Sequence, residues 1–271
     1  MPASVYVIMP EVFARPAGTG RFGMASVQLP GPGIRTACVD TRHLTVWHTA
    51  AMLTFDRLFA SHVATGLARQ MALGDLIGER GWQLDLTSGI VMFGDDLRYR
   101  IQLLGTESHD DGSWLWAWAN EASNLPPALL HLCGWLREYG HRHGVAELTE
   151  PTFALQRVDG HRLALLASGL TGRCYYRGPF PGGAVFFHLD DAPPQITAPI
   201  RPERALSILS EVIQGFPVDH RIAVESFLHQ QSWRLDPTPT SVTAHHTGGS
   251  TLRVDFDALG RVSNMSGTVS P

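Results

Sequence analysis

The feature that most constrains the fold is an alternation of side chains, apolar with polar or large with small, from Trp82 to Asn120. Successive side chains of a β-strand point to opposite faces, so a period of two predicts strands. The predicted strands are 82–86, 90–93, 97–104 and 113–120. Short turns containing glycine or aspartate separate them, which predicts a four-stranded antiparallel meander.

The last of these strands carries three tryptophans on one face. Trp114, Trp116 and Trp118 alternate with smaller residues, so their indoles are expected to form a continuous aromatic wall. One interpretation is the floor of a ligand pocket, to which Asn120 adds a polar group. The other interpretation is a core face that a helix covers. The alanines on the opposite face permit close packing there, which favours the core interpretation.

Helical and strand patterns alternate in the rest of the chain. Apolar residues recur at spacings of three and four within 49–77, which predicts a helix that would cover the tryptophan face. Pro126 and Pro127 indicate the start of a second helix, because proline suits the first helical turn. The strands predicted after it are 153–158, 163–167, 172–177 and 184–189.

The C-terminal part repeats this order of helix and strands. A helix is predicted from about residue 202, and Asp219 is placed to cap another. The final predicted strands are 241–245, 252–256 and 261–265. Units of helix plus meander therefore follow one another near 49–120, 126–189 and 202–268, without a repeat at the level of residues.

These patterns predict an α+β fold, in which antiparallel β-meanders are packed by helices and the helix-plus-meander units could be repeats. Clusters of glycine and proline fill residues 1–48, which predicts an irregular N-terminal arm. Residues 49–191 are expected to form a core domain of helix and meander. A proline-rich linker near 192–202 then leads to a C-terminal subdomain of helix and strands at 202–271.

The composition excludes several classes of function. All 21 basic residues are arginine, and a chain without lysine can use neither a Schiff-base lysine nor a P-loop lysine. The net charge of −4 gives no basic surface for nucleic acid. No apolar run reaches the roughly 18 residues of a membrane span. We therefore expect neither nucleic acid nor a membrane among its partners.

The cysteines predict a reducing compartment. Cys38, Cys133 and Cys174 are odd in number and far apart, which argues against a disulfide framework and a cysteine zinc site. Cys174 has apolar neighbours and is expected to be a buried strand residue. The apolar run of residues 5–9 is too short for the core of a signal peptide. Together these observations predict a cytoplasmic protein.

Two residues are candidates for a catalytic general acid or base. Glu107 is a carboxylate in an otherwise apolar stretch, and either catalysis or structural use as a cap or ion-pair partner would explain it. His188 has apolar neighbours, and a lone histidine in such a place is more often a core or edge residue. We predict no metal site, because His141 and His143 are two residues apart and do not share a helix face.

A glycine motif at residues 18–23 matches the G-x-G-x-x-G pattern of dinucleotide-binding proteins. That mechanism needs a strand directly before the glycines and a helix directly after them, so that the pyrophosphate lies on the helix N-terminus. Here the Pro-Gly-Pro-Gly segment at 30–33 follows instead of a helix. We therefore predict no nucleotide site there and no cofactor.

Three blocks of sequence are specific enough to suggest a family. They are W-x-L-D from Trp82, Q-L-L-G-T-E-S from Gln102 and W-x-W-A-W-A-N from Trp114. In these blocks, residues 52–189 resemble an uncharacterised bacterial family that is common in actinobacteria and has no assigned function. The resemblance implies a module of helix, meander and helix. It implies no activity, so no catalytic residue is carried over from it.

Two hypotheses for function follow. The leading one is a non-enzymatic intracellular protein that binds a protein partner or a small molecule, since the chain has no catalytic signature and no cofactor motif. The alternative is a cofactor-independent enzyme, with Glu107 or His188 as acid or base in an aromatic-walled pocket. A filled core at the tryptophan face would favour the first hypothesis. A deep cavity there, with a carboxylate or histidine in it, would favour the second.

Overall fold

Two antiparallel sheets lie on either side of a set of helices. The computed structural model describes residues 53–270, so the arm predicted at 1–48, the glycine motif at 18–23 and Cys38 lie outside the described residues. The helices are α1 Phe55–Ile77, α2 His131–His143, α3 Gly160–Thr171, α4 Pro194–Thr197, α5 Pro202–Gly215 and α6 His220–Gln230. The strands are β1 Trp82–Asp85, β2 Ile90–Phe93, β3 Leu97–Ser108, β4 Ser113–Trp116, β5 Thr152–Ala154, β6 Tyr175–Phe180, β7 Gly183–Leu189, β8 Arg234–Pro237, β9 Ser241–His245, β10 Thr251–Phe256 and β11 Val262–Thr268. The α+β prediction is confirmed.

The first sheet is organised around the long strand β3. Strands β1 to β4 are consecutive antiparallel neighbours, which confirms the predicted meander. β7 also pairs with β3, and β6 pairs with β7. The β1–β2 hairpin folds back on the sheet, because the Trp82 ring lies 5.6 Å from that of Tyr176 and 6.3 Å from that of Phe187. One face of the sheet is thus covered by its own first hairpin.

The strand predicted at 163–167 is wrong, because these residues lie within helix α3. Every residue of this run is apolar and buried, and a short run of that kind fits a buried strand and a buried helix equally well. The side chain of Asp159 accepts a hydrogen bond from Arg162 N at 2.8 Å. That N-cap starts a helix at this position.

The tryptophan strand is shorter than predicted. β4 ends at Trp116, and the next three residues form a 3-10 turn, so Trp118 does not continue the strand face. The side chain of Asn120 accepts a hydrogen bond from Ser123 N at 3.2 Å. Such a local bond from asparagine competes with strand pairing, and it starts a second turn here.

Helices α1, α3, α5 and α6 connect the two sheets through their packing. α3 and α2 pack on β3, while α1 packs on α3 and, on its other side, on α5 and α6. Our expectation that the helix at 49–77 covers the tryptophan face is therefore wrong. The first sheet is packed instead by α3, which the sequence pattern had presented as a strand, and by α2.

The contact between α1 and α3 is made through backbone. A Cβ atom placed on Gly66 of α1 would lie 2.3 Å from the carbonyl oxygen of Leu165 in α3. A Cβ atom on Gly169 of α3 would lie 2.5 Å from the carbonyl oxygen of His62 in α1. Neither backbone can move aside as a flexible side chain would, so the two glycines set the distance between the helices.

We expect the Gly66→Ala substitution to lower the free energy of unfolding by about 1–3 kcal/mol, because the new methyl group must push the helices apart. Gly74 in the same helix is the matched control, since no described residue lies within 4 Å of a Cβ atom there. Gly74→Ala should raise the free energy of unfolding by about 0.5–1 kcal/mol through helix propensity. Urea denaturation measures the free energy of unfolding of both variants. Equal changes of the same sign would contradict the close contact between the backbones of α1 and α3.

The second sheet has the order β11-β10-β9-β8. The three strands predicted near the C-terminus are confirmed as β9, β10 and β11, while the pattern missed β8. Asp219 caps α6 as predicted, because its side chain accepts a hydrogen bond from Ile222 N at 2.9 Å. Within residues 53–270, no helix has both the length and the apolar character needed to cross a membrane.

Buried apolar side chains from both sheets and the helices between them form one contiguous cluster. The linker predicted near 192–202 contains the short helix α4, which also contacts α1. The division into a core domain at 49–191 and a subdomain at 202–271 stays a prediction.

Candidate functional site

The tryptophan face is filled by protein. Trp114 and Trp116 have no exposed surface. Their rings meet edge to face at 5.5 Å, and Phe186 of β7 lies 5.5 Å from Trp114. The Trp116 indole donates a hydrogen bond to the carbonyl oxygen of Glu147 at 3.0 Å. This is the arrangement that the core interpretation requires.

Trp118 and Asn120 lie apart from these two indoles. Trp118 is partly exposed, and the guanidinium of Arg137 lies 4.3 Å from the centre of its ring. Asn120 instead lines, with Leu115, a cavity of about 10 Å³ that has room for at most one water molecule. The structure therefore does not bring together the four residues predicted to bind ligand. Their role in binding stays a prediction, which the burial of two of them does not favour.

Glu107 has both of the structural roles that its sequence position suggested. It is buried, and its Oε1 accepts a hydrogen bond from Gly160 N, at the start of α3, at 2.8 Å. Its Oε2 lies 3.6 Å from Arg177 Nε and 4.0 Å from His109 Nε2. A carboxylate is favourable at a helix N-terminus, where unpaired N–H groups point. Glu107 thus joins α3 to the sheet.

We expect Glu107→Gln to lower the free energy of unfolding by about 1–3 kcal/mol, because it removes the charge that faces Arg177. Glutamine keeps a side-chain oxygen that can accept the hydrogen bond from Gly160 N. The loss of stability therefore measures the ion pair with Arg177. The control is Glu225→Gln, which removes a pair with Arg221 along one helix and should cost about 0.2–0.5 kcal/mol. If the two variants unfold at the same urea concentration, Glu107 has no special structural role.

His188 is completely buried, and neither of its ring nitrogens has a hydrogen-bond partner among residues 53–270. Burial, followed by the positive charges of Arg173 and Arg69, lowers the pKa of His188 from 6.5 to about 3. The imidazole is therefore neutral near pH 7. His188 lies opposite Gln102 in the sheet, while Glu107 lies opposite Ala184. Four residues of strand separate the two candidates, about 13 Å, so they do not form one catalytic pair.

The two described cysteines, Cys133 and Cys174, are free and buried. Burial raises the pKa of each thiol to about 12, so the thiolate form that a nucleophile needs is disfavoured. Cys174 lies directly before β6, in the buried position that its apolar neighbours predicted.

An open cleft of about 420 Å³ lies between the N-terminal half of α2 and the C-terminal end of α3. We call it the α2–α3 cleft. The residues that give it its chemical character are His131, Leu132, Trp135, Leu170, Arg173 and Asp190. Trp135 is 47% exposed, although exposed tryptophans of this kind are uncommon in a chain with a filled core. Arg173 Nε lies 2.7 Å from Asp190 Oδ1, so the polar side of the cleft carries a paired charge.

Gln102 links this cleft to the sheet. Its side-chain nitrogen donates to Ala128 O at 3.0 Å, and its oxygen accepts from Leu132 N at 3.2 Å. The amide thereby holds the start of α2 over β3. His188 is the cross-strand neighbour of Gln102, so the buried histidine lies in the sheet next to a residue that lines the cleft.

The α2–α3 cleft was not predicted from the sequence, although part of its signal was present. His131, Trp135, Tyr139 and His143 recur every four residues, so they lie on one side of α2. The ring centres of Trp135 and Tyr139 are 5.5 Å apart, and those of Tyr139 and His143 are 4.3 Å apart. A partly exposed aromatic row next to the buried apolar face of a helix indicates a surface that binds a ligand or a partner.

Among residues 53–270, no three histidine, cysteine, aspartate or glutamate side chains lie close enough to hold a metal ion. The model of a family of unknown function, DUF6882, matches residues 56–192, slightly more than half of the chain. No curated protein and no solved structure matches. The matched segment contains every residue that lines the α2–α3 cleft.

Proposed function

The chain belongs to DUF6882, a family of unknown function, and we propose that it is a non-enzymatic binding protein whose ligand site is the α2–α3 cleft. The observation that carries this proposal is the exposed indole of Trp135 in the wall of a cleft of about 420 Å³. Small-molecule sites are usually concave, with apolar walls and a few polar groups that orient the ligand. Leu132 and Leu170 supply apolar wall here, and the pair of Arg173 and Asp190 supplies the polar groups.

The catalytic alternative has less support. Glu107 is engaged by Gly160 N and faces Arg177. His188 has no exposed surface, and its pKa of about 3 is far from the range that suits a general base near neutral pH. Neither residue lines the cleft. A binding role needs no titrating group in the site, so it agrees better with this arrangement.

We propose a small molecule as the ligand in preference to a protein partner, because the exposed indole lies within a concave site. We also propose that the protein acts in the cytoplasm. Its two described cysteines are free and widely separated in sequence, a usage that is typical of reducing compartments.

The test is a thermal-shift screen of a metabolite library with three proteins. Ligands of the cleft should raise the melting temperature of the wild type and lose that effect in Trp135→Ala. The control is Leu259→Ala, which truncates a side chain that is 75% exposed in the turn after β10, and it should respond as the wild type does. Ligands that stabilise wild type and Trp135→Ala equally, or a screen without any stabilising ligand, would contradict the proposal.

A further inference from the structure

We propose that the α2–α3 cleft takes a neutral planar heterocycle, with the size and the hydrogen-bonding edge of a nucleobase, stacked on Trp135. This inference rests on the proposed function, because it names the class of ligand for the same cleft. It follows from the groups that remain free to bind once the internal contacts of the cleft are accounted for.

Two polar side chains of the cleft are already used by the fold. The Gln102 amide is engaged at both its nitrogen and its oxygen. The Thr171 hydroxyl donates to Ala167 O at 2.7 Å. Recognition of a ligand therefore falls to the Arg173–Asp190 pair and to the ring of His131.

The paired charges disfavour an anion or a cation as the ligand. Arg173 Nε binds Asp190 Oδ1 at 2.7 Å, so the guanidinium charge is balanced inside the cleft. The terminal N–H groups of Arg173 and the second oxygen of Asp190 have no hydrogen-bond partner among residues 53–270. Donors thus lie beside an acceptor. The edge of a nucleobase presents the complementary pattern of adjacent acceptor and donor groups, which arginine and aspartate read in nucleic-acid complexes.

Trp135 supplies the surface for the flat face of such a ring. Stacking on an aromatic side chain tolerates different heterocycles, because every base has a π-face. Leu132 and Leu170 line the same cleft and suit the apolar body of the ring. The cleft of about 420 Å³ is also within the roughly 300–1,000 Å³ that is usual for small-molecule sites.

The test is isothermal titration calorimetry of the full chain with adenosine, guanosine, cytidine and uridine. Ribose and inorganic phosphate are the control probes, since they carry the sugar or a charge without the ring. At least one nucleoside should bind, and neither control probe should. Trp135→Ala should weaken that binding by about tenfold or more, whereas Trp135→Phe should keep it within about threefold. Asp190→Asn should change which nucleoside binds best, because it alters the acceptor, and Leu259→Ala should change nothing.

Absence of binding by all four nucleosides would overturn the heterocycle inference, as would nucleoside binding that Trp135→Ala leaves unchanged. Binding of ribose or phosphate that is lost in Trp135→Ala would also overturn it, while leaving the cleft as a binding site. The proposed function fails separately, when the metabolite screen yields no ligand that depends on Trp135. Melting curves of the Trp135 and Asp190 variants establish that each remains folded.

Discussion

Replacing Trp116 by alanine is expected to lower the free energy of unfolding by about 3–5 kcal/mol. The side chain has no exposed surface, so its removal leaves a cavity between β4 and the segment that contains Glu147. The carbonyl oxygen of Glu147 also loses the hydrogen bond that it accepts from the Trp116 indole N–H. A loss of this size is a large share of the stability of an ordinary domain, about 5–15 kcal/mol.

The matched control is Trp135→Ala, which removes the same side chain from an exposed position in α2. It should change the free energy of unfolding by less than about 1 kcal/mol. Chemical denaturation of both variants measures the difference. Should Trp116→Ala fail to fold, Trp116→Phe keeps most of the apolar volume and should still be measurably destabilised through the lost hydrogen bond. Similar stability of the two alanine variants would contradict the assignment of the tryptophan face to the core.

His188→Leu is expected to make the protein more resistant to acid. In the folded state the pKa of His188 is lowered from 6.5 to about 3, while the unfolded chain keeps the ordinary value. Between these two pH values the unfolded state binds a proton that the folded state excludes, so stability falls as the pH falls. Each pH unit below 6.5 then lowers the free energy of unfolding by about 1.4 kcal/mol. At pH 5 the wild type should therefore have lost about 2 kcal/mol of stability through His188.

The leucine variant removes that loss, together with two buried nitrogens that have no partner in the described part of the chain. Its stability at pH 7 should therefore equal or exceed that of the wild type. His62 is expected to leave a residual acid sensitivity, because burial and Arg69 lower its pKa to about 4. The control is His141→Leu, at an exposed position. The free energy of unfolding is measured between pH 7 and pH 5 for the wild type and both variants. The control should lose stability with falling pH as steeply as the wild type does, and His188→Leu should lose less. The same pH dependence in all three proteins would contradict the account of His188.

The pattern of side chains predicted the strands that have one buried face. A single buried face imposes a period of two, and β1 and β10 show that period in their burial. The pattern was ambiguous where all sides of an element are buried. β7 and the start of α3 are both continuous apolar runs, but Val185, Phe186 and Phe187 are strand formers, whereas α3 is rich in leucine and alanine. That difference in composition would have assigned 163–167 to a helix.

The cleft could not be predicted in the same way, because its lining comes from distant segments. Gln102 and Asp190 meet through the pairing of β3 with β7, and Arg173 lies between α3 and β6. Local periodicity carries no information about such pairings. The aromatic row of α2 was readable, since its spacing of four is a property of one helix. Trp118 was misplaced for another reason, because β4 ends in a 3-10 turn at Ala117–Ala119. A second turn follows, in which the side chain of Asn120 accepts a hydrogen bond from Ser123 N.

Trp114 and Trp116 belong to the core, and we propose that Trp135 marks the binding site. The most direct test follows the indole N–H signals of the ¹⁵N-labelled chain by NMR during titration with a ligand from the metabolite screen or with a nucleoside. Tryptophan-to-phenylalanine variants assign the signals. We predict that the Trp135 signal shifts with ligand concentration while those of Trp114 and Trp116 stay in place. A shift of the Trp114 or Trp116 signal with the Trp135 signal unchanged would contradict this assignment, because the ligand would then bind at the tryptophan face.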